Sequence, residues 1–448
     1  MRVHDEQASG SGFTRRGFIA AAGVAGMANL AFVPPPPATR VQQDLPPLDR
    51  PAGSPEAVAR DERYWRRVAA YYQIDTEYIN LEAGYFGMMA APVLKAYHRH
   101  TDMVNRSSSY YARRGYAADV AKARRRVAQY LGARPTEVAL TRGATEALQR
   151  LIIQYRGVGE GDAVIYADLD YPAMQWAMNA LAGQRGATVV RTEFPAPATR
   201  QRVLDMYARV LEATPRARLL LLTHLNNKTG LIIPVKEIVA MARERGADVI
   251  VDAAHSFGQC DLRIDDLGAD FVGLNLHKWL GAPIGAGAMY IRESRLDAID
   301  VMLGDEGPAD RIDSRIHTGT VNFAAVLTIP AALDFNDAVG APHKAARLRY
   351  LRDRWVDAVR DTPGIDILTP DDPDMVAAIT SFRLGGRTGR AENRAIVEEL
   401  LERYGIFTVQ RTGVAGGDCV RVTPTLYNTL DDVDLLATAL EEMVATGR

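Results

Sequence analysis

Asp248-Val249-Ile250-Val251-Asp252-Ala253-Ala254-His255 and, after a polar interval, Phe271-Val272-Gly273-Leu274-Asn275-Leu276-His277-Lys278-Trp279-Leu280-Gly281 are two short apolar runs that each end in chemically active side chains. Brief apolar runs bounded by polar and glycine-containing turns read as strands buried on both faces. Similar runs lie upstream at 163–167, 188–191 and 219–223, and downstream at 287–291. Helical patterns at 92–104, 116–131 and 145–155 alternate with them. Such alternation predicts an α/β fold with a mostly parallel sheet. Earlier, Val58, Tyr64, Trp65, Val68, Ala69 and Tyr72 recur at helical spacing, and Ile79-Asn80-Leu81 begins a short strand before the turn containing Gly84 and Gly87. From about Thr328 the pattern changes to longer helices, at 331–338, 343–361, 391–404 and 432–445, around strands at 379–384 and 420–423. The expected organisation is therefore a large domain over 56–327, with its N-terminal helix, and a smaller α+β domain over 328–448. There is no internal repeat and no heptad run.

The chain has 448 residues, 47% hydrophobic and 24% charged, the balance of a globular protein with a large core. Lys plus Arg (53) nearly cancel Asp plus Glu (55), so nothing in the charge calls for nucleic acid or an anionic membrane. Arg124-Arg125-Arg126 lies in a helical pattern and reads as a solvated face. Cys260 and Cys419 are too few for a disulfide framework, and the sequence leaves open whether they meet. The remaining histidines, including His98 and His100 in one helical pattern, show no spacing that would assemble a metal site, and no metal is expected. Thr14-Arg15-Arg16-Gly17-Phe18-Ile19, followed by an Ala/Gly-rich apolar stretch and then Pro34 to Pro37, has the layout of a signal peptide over 1–38. The paired arginines resemble the twin-arginine signal that sends folded proteins to the periplasm. The stretch is shorter than the roughly 20 residues that span a bilayer, so no stable membrane anchor is expected. Residues 39–55 read as a linker.

Three segments fall at the ends of expected strands, where open α/β sheets place their ligands. They are Thr223-His224-Leu225-Asn226-Asn227-Lys228-Thr229-Gly230, the run closing at Asp252 and His255, and the run through Lys278. Pyridoxal 5′-phosphate needs an amine for its aldehyde, an acid beside its pyridine nitrogen, and hydrogen bonds to its ring hydroxyl. Lys278 and Asp252 can meet the first two needs, although an isolated aspartate at a strand end also serves as a helix cap.

Taken together, these segments resemble the class V aminotransferase family of fold-type I pyridoxal-phosphate enzymes over nearly all of residues 75–435. His277-Lys278-Trp279-Leu280-Gly281-Ala282-Pro283 is most similar to its isopenicillin N epimerase-like branch. The resemblance implies that Lys278 is the Schiff-base lysine and proton shuttle, and that Asp252 pairs with the pyridine nitrogen. His255 and Asn227 match positions that contact the ring or its hydroxyl. Thr141-Arg142-Gly143-Ala144-Thr145-Glu146 matches the phosphate loop, and Ala144 and Thr145 would open a helix whose free N–H groups face an anion. Asn275 and His277 flank the lysine where phosphate contacts are expected, with Asn275 standing where serine is common. Tyr171 matches the aromatic that stacks on the ring, a position where many desulfurases have histidine. Thr320, after Gly319, matches an element that reaches the phosphate of a neighbouring subunit, so a homodimer is implied. Arg421 matches the arginine that binds a substrate α-carboxylate, with Arg411 a second candidate.

Fold and cofactor do not choose among transamination, racemisation, elimination and desulfuration. The loop at 413–418 lacks the sulfur-accepting cysteine of the family's desulfurases, and Cys419 reads as a small buried residue. The leading expectation is an exported aminotransferase or epimerase-like enzyme acting on an amino acid, or on an amino-acid residue of a peptide natural product. A desulfurase or lyase of the same family is the alternative. A nicotinamide oxidoreductase lacks its Gly-x-Gly-x-x-Gly here, and a non-catalytic binding protein would have no need for both Lys278 and Asp252.

Overall fold

A short strand, β1 (Ile79–Asn80), precedes the seven strands of the central sheet. These are β2 (Val138–Thr141), β3 (Ala163–Ala167), β4 (Thr188–Thr192), β5 (Ala217–Thr223), β6 (Asp248–Asp252), β7 (Phe271–Asn275) and β8 (Gly287–Ile291). The computed structural model describes residues 45–317 and 319–447, so the expected leader lies outside the described residues. Residues 45–54 carry no helix or strand, although those from Pro47 onward belong to the compact unit rather than to a separate linker.

The sheet order is β2-β8-β7-β6-β5-β3-β4. The pairs from β7 through β6, β5 and β3 to β4 are parallel, and β8 runs antiparallel between β7 and β2. This is the mostly parallel α/β sheet that the alternating pattern predicts. Leu219 to Leu222 and Val249 to Val251 are buried on both faces, each fully buried side chain contributing roughly 1.5–3 kcal/mol. Parallel order brings the carboxyl ends of β5, β6 and β7 to one edge. Asp252 there stands opposite Thr223 on one side and Gly273 on the other. The sequence reading missed β2. It pairs with β8 so that Thr141 faces Gly287, which carries the following Gly143 turn beside Asn275.

The C-terminal part contains β9 (Ile365–Ile367), β10 (Thr380–Leu384), β11 (Ile406–Phe407), β12 (Val409–Arg411) and β13 (Cys419–Val422). Its antiparallel sheet has the order β12-β13-β10-β9. β1 crosses to this part of the chain, pairing in parallel with β11, and Leu81 packs in one core with Phe382, Val420 and Leu436. Residues from Pro47 onward form one compact unit that holds both sheets.

Three helical expectations change at their ends for local reasons. The pattern over 56–72 divides into helices Pro55–Ala59 and Glu62–Ala69, because the Asp61 carboxylate caps the second by accepting from the Arg63 and Tyr64 N–H groups. The helix expected at 331–338 extends back to Phe323 through Pro330, with Asn322 capping Ala325 N–H. The pattern at 92–104 is part of a longer element, Ala91–Arg114, kinked where Ser108 has φ of 46°. The arginine triplet is also less free than expected. Arg124 pairs with Asp313, and Arg126 with Asp334 and Asp337.

The β1 crossing lays residues 83–88 against the active edge. Ala83 N–H donates to Thr423 Oγ1 (2.8 Å), and Gly87 N–H donates to the His277 carbonyl (2.8 Å). A Cβ on Gly87 would sit 1.8 Å from the Lys278 carbonyl oxygen. Gly87→Ala should therefore lower stability by about 3 kcal/mol through overpacking, seen as a reduced denaturant midpoint. An unchanged midpoint would mean that the two loops do not pack in this way.

Candidate active site

A cavity of about 610 Å³ opens at the carboxyl edge of β5, β6 and β7, within the size range of small-molecule sites. Lys278, Asp252, His255, Asn227, Ala144, Thr145, Tyr171, Asn275, His277, Arg421 and Arg411 all line it. Eleven of the twelve site residues expected from the sequence thus converge although they come from seven separate stretches of chain. Thr320 does not line it; it is exposed, beyond the residues of this cavity.

Lys278 lies in the turn that follows β7. Its Nζ is 2.8 Å from His255 Nε2, while the Trp279 indole N–H donates to His255 Nδ1 (3.3 Å). A neutral imidazole that accepts at Nδ1 carries its proton on Nε2, so it donates that proton to an uncharged Lys278 amine. The electrostatics shift both groups toward their neutral forms. Burial, reinforced by Lys278, Arg421 and Arg411, holds His255 well below the ordinary histidine range. Burial likewise lowers Lys278 to about 8, with Asp252 opposing and the two arginines assisting. The Asp252 carboxyl is pushed up by burial and drawn partly back by the Ala254 N–H, which donates to Oδ1 at 2.9 Å, and by Lys278. A cationic partner at its other oxygen would restore its charge.

The anion end is built from β2 and β7. Helix Ala144–Ile153 starts here, and its first-turn N–H groups have no internal acceptor. Asn275 Oδ1 accepts from Ala144 N–H (2.8 Å), so Ala144 is not free for an anion as the sequence reading expects. Thr145 and Glu146 supply the remaining first-turn donors, and Asn275 holds the loop in place. His277 Nδ1 donates to the Ala286 carbonyl (2.9 Å), which turns its other nitrogen to a ligand; burial lowers its pKa. Tyr171 precedes helix Pro172–Arg185 and is 41% exposed, free to cover a ring.

Arg421 is fully buried but engaged. Its Nη2 donates to both oxygens of Glu82 (2.5 and 2.7 Å), and its Nη1 to the Asn227 carbonyl (2.8 Å). Sequence reasoning missed Glu82, whose signal was an acid placed between β1 and the Gly84 turn. It also missed Lys344, which donates to the Trp279 carbonyl and to Asn336 Oδ1 (2.6 Å), fixing the turn after Lys278 from beneath. Burial lowers Lys344 to about 7.

The aminotransferase class-V family model matches residues 89–436, most of the chain. The chain belongs to the class-V aminotransferase family. It is 31% identical over 343 residues to isopenicillin N epimerase of Streptomyces clavuligerus, covering 72% of this chain and 84% of that protein. It is 28% identical over 396 residues to the isopenicillin N epimerase of Amycolatopsis lactamdurans, covering 85% and 98%. Among solved structures, the cysteine desulfurase CsdA of Escherichia coli superposes with a TM-score of 0.72 at 25% identity, covering 85% of this chain and 98% of that one. Membership bears out the expected fold type and makes pyridoxal 5′-phosphate the cofactor.

The residues present fit that group. Asn227 Oδ1 is buried without a hydrogen-bond partner, as a contact awaiting a ring hydroxyl would be. Asp252 suits a protonated ring nitrogen, and the helix start suits the phosphate. Because the uncharged amine is the reactive form, lowering the Lys278 pKa leaves more of it free at neutral pH. The rate of cofactor incorporation into apoprotein should rise with pH to a midpoint near 8. Asp252→Asn removes the charge that opposes this shift and should move the midpoint lower. A midpoint near the ordinary lysine value of about 10.4 would contradict the buried-amine geometry.

Proposed function

We propose that this chain acts on the amino group and α-carbon of an amino acid, or of an amino-acid residue in a peptide natural product, as an aminotransferase or epimerase-like enzyme. The observation that carries the reading is Lys278 Nζ held 2.8 Å from His255 Nε2 in a cavity that also contains Asp252 and a helix start. Bound pyridoxal phosphate supplies an electron sink conjugated to the substrate α-carbon. Asp252 would hold the ring nitrogen, Asn227 and His255 the ring hydroxyl, and Thr145, His277 and the first-turn N–H groups the phosphate. Lys278, half-buried and with the pKa of its amine lowered to about 8, is placed to take the α-proton on Nζ; return of a proton to the opposite face of the α-carbon would give epimerisation, whereas transamination would require its delivery to the cofactor's aldehyde carbon. His255 keeps that amine oriented, and Lys344 keeps the turn beneath it fixed.

Two features favour this reading over desulfuration. The 413–418 loop has no thiol, and Cys419 is buried in β13 with its pKa pushed up to about 11. A buried, protonated thiol is a poor sulfur acceptor. Elimination from a cysteine-like substrate needs no acceptor thiol, and the likeness to the protein named Putative L-cysteine desulfhydrase 1 of Oryza sativa, 27% identical over 69% of this chain and 71% of that protein, supports it as a second reading. We read Arg15-Arg16 as a twin-arginine signal, so that the folded, loaded enzyme is exported to the periplasm. We also assign a homodimer in which Thr320 serves the partner's phosphate site.

Purified protein should absorb in the visible, and borohydride should bleach that band and fix the label on Lys278; Lys278→Ala should be colourless with unchanged circular dichroism. A mass-spectrometric screen of amino acids and peptides should show α-deuterium exchange or keto-acid formation without sulfide release. Sulfide as the main product would replace this proposal with the lyase reading. A fused reporter should lose periplasmic delivery when Arg15→Lys and Arg16→Lys are combined, and delivery that survives would remove the export assignment.

A further inference from the structure

Resting on the function proposed above, we infer that Glu82 sets substrate recognition by occupying Arg421, so that a substrate carboxylate is received by Arg411 instead. Both Nη atoms of Arg421 are committed, Nη1 to the Asn227 carbonyl and Nη2 to Glu82. The side chains of Arg421 and Glu82 are 1% and 7% exposed. The backbone closes over the guanidinium too, since a Cβ on Gly84 would lie 2.4 Å from Nη2. A carboxylate arriving from the cavity would have to expel Glu82 from its two hydrogen bonds to Nη2 and leave that buried carboxylate only its longer contacts, to Arg411 (3.6 Å) and Thr423 (3.5 Å), a loss that one exchanged ion pair offsets poorly.

Glu82 is held in place by the backbone. Its residue bridges to Thr423, its N–H donates to Asn80 Oδ1 (2.9 Å), and β1 is fixed by its pairing with β11. Arg411, on β12 directly opposite Cys419, differs in each respect. It is 25% exposed, lines the same cavity, and stands 3.6 Å from Glu82 Oε1, an ion pair without a close hydrogen bond. Two guanidinium groups and one carboxylate leave the cluster one net positive charge. That charge matches a single carboxylate, and Arg411 has the donors free to grip it.

The test uses the holoenzyme and two aminooxy reagents that capture the cofactor's aldehyde carbon, aminooxyacetate with a carboxylate and methoxyamine without one. The ratio of their capture rates, followed through the visible band, isolates carboxylate recognition and cancels changes in cofactor reactivity. Arg411→Ala should lower the aminooxyacetate-to-methoxyamine ratio about tenfold, the loss of one charged hydrogen-bonding partner. Arg411→Lys should recover part of it, and Glu82→Gln should raise the ratio by releasing Arg421. An unchanged ratio in Arg411→Ala, or a ratio that stays constant or falls in Glu82→Gln, would overturn the inference. The more exposed Arg411 site keeps the test decisive should Glu82→Gln fail to fold. If neither reagent alters the spectrum of the wild-type protein, the cofactor reading itself has failed, a result distinct from failure of the Glu82 assignment.

Discussion

Burial of an amine and a carboxylate at the same edge of a parallel sheet is the constraint from which the rest of this structure follows. Neither group tolerates an apolar interior as an isolated charge. Strand order forces them together, because β6 ends at Asp252 and the adjacent β7 leads into Lys278. Desolvation at this edge lowers the amine to about 8 and raises the acid until a cation meets it. Trp279 and Lys344 serve that arrangement. The first selects the His255 tautomer that faces Lys278, and the second anchors the Trp279 carbonyl.

What the sequence makes legible is what chain neighbourhood carries. Asp252 and His255 close one strand, Lys278 and His277 follow the next, and their strand-end position needs no knowledge of packing. β2 was not legible, since Val138-Ala139-Leu140-Thr141 is a weak apolar run whose pairing with β8 is decided by distant residues. Pro330 concealed the first half of its helix, because a proline within an apolar pattern reads as a start and the Asn322 cap lies further back.

Side-chain occupancy was harder still to foresee. Arg421 could be picked out by its motif, yet its engagement joins residues 339 positions apart and depends on β1 crossing to β11. Asn275 lies beside the start of helix Ala144–Ile153, but its carboxamide secures Ala144 rather than standing free. Pairing of buried polar groups is settled by the whole fold. The same fold serves several reactions, so what distinguishes this member is the set of groups around the shared centre. Those are a thiol-free 413–418 loop, a tyrosine at position 171, and an arginine pair bridged by Glu82.

A crystal structure of the protein grown with pyridoxal phosphate tests the central claim most directly. The account predicts continuous density from Lys278 Nζ to the cofactor, with an Asp252 oxygen in hydrogen-bond contact with the ring nitrogen and the phosphate at the start of helix Ala144–Ile153. Density joined to a different lysine, or a ring whose nitrogen faces away from Asp252, would contradict it.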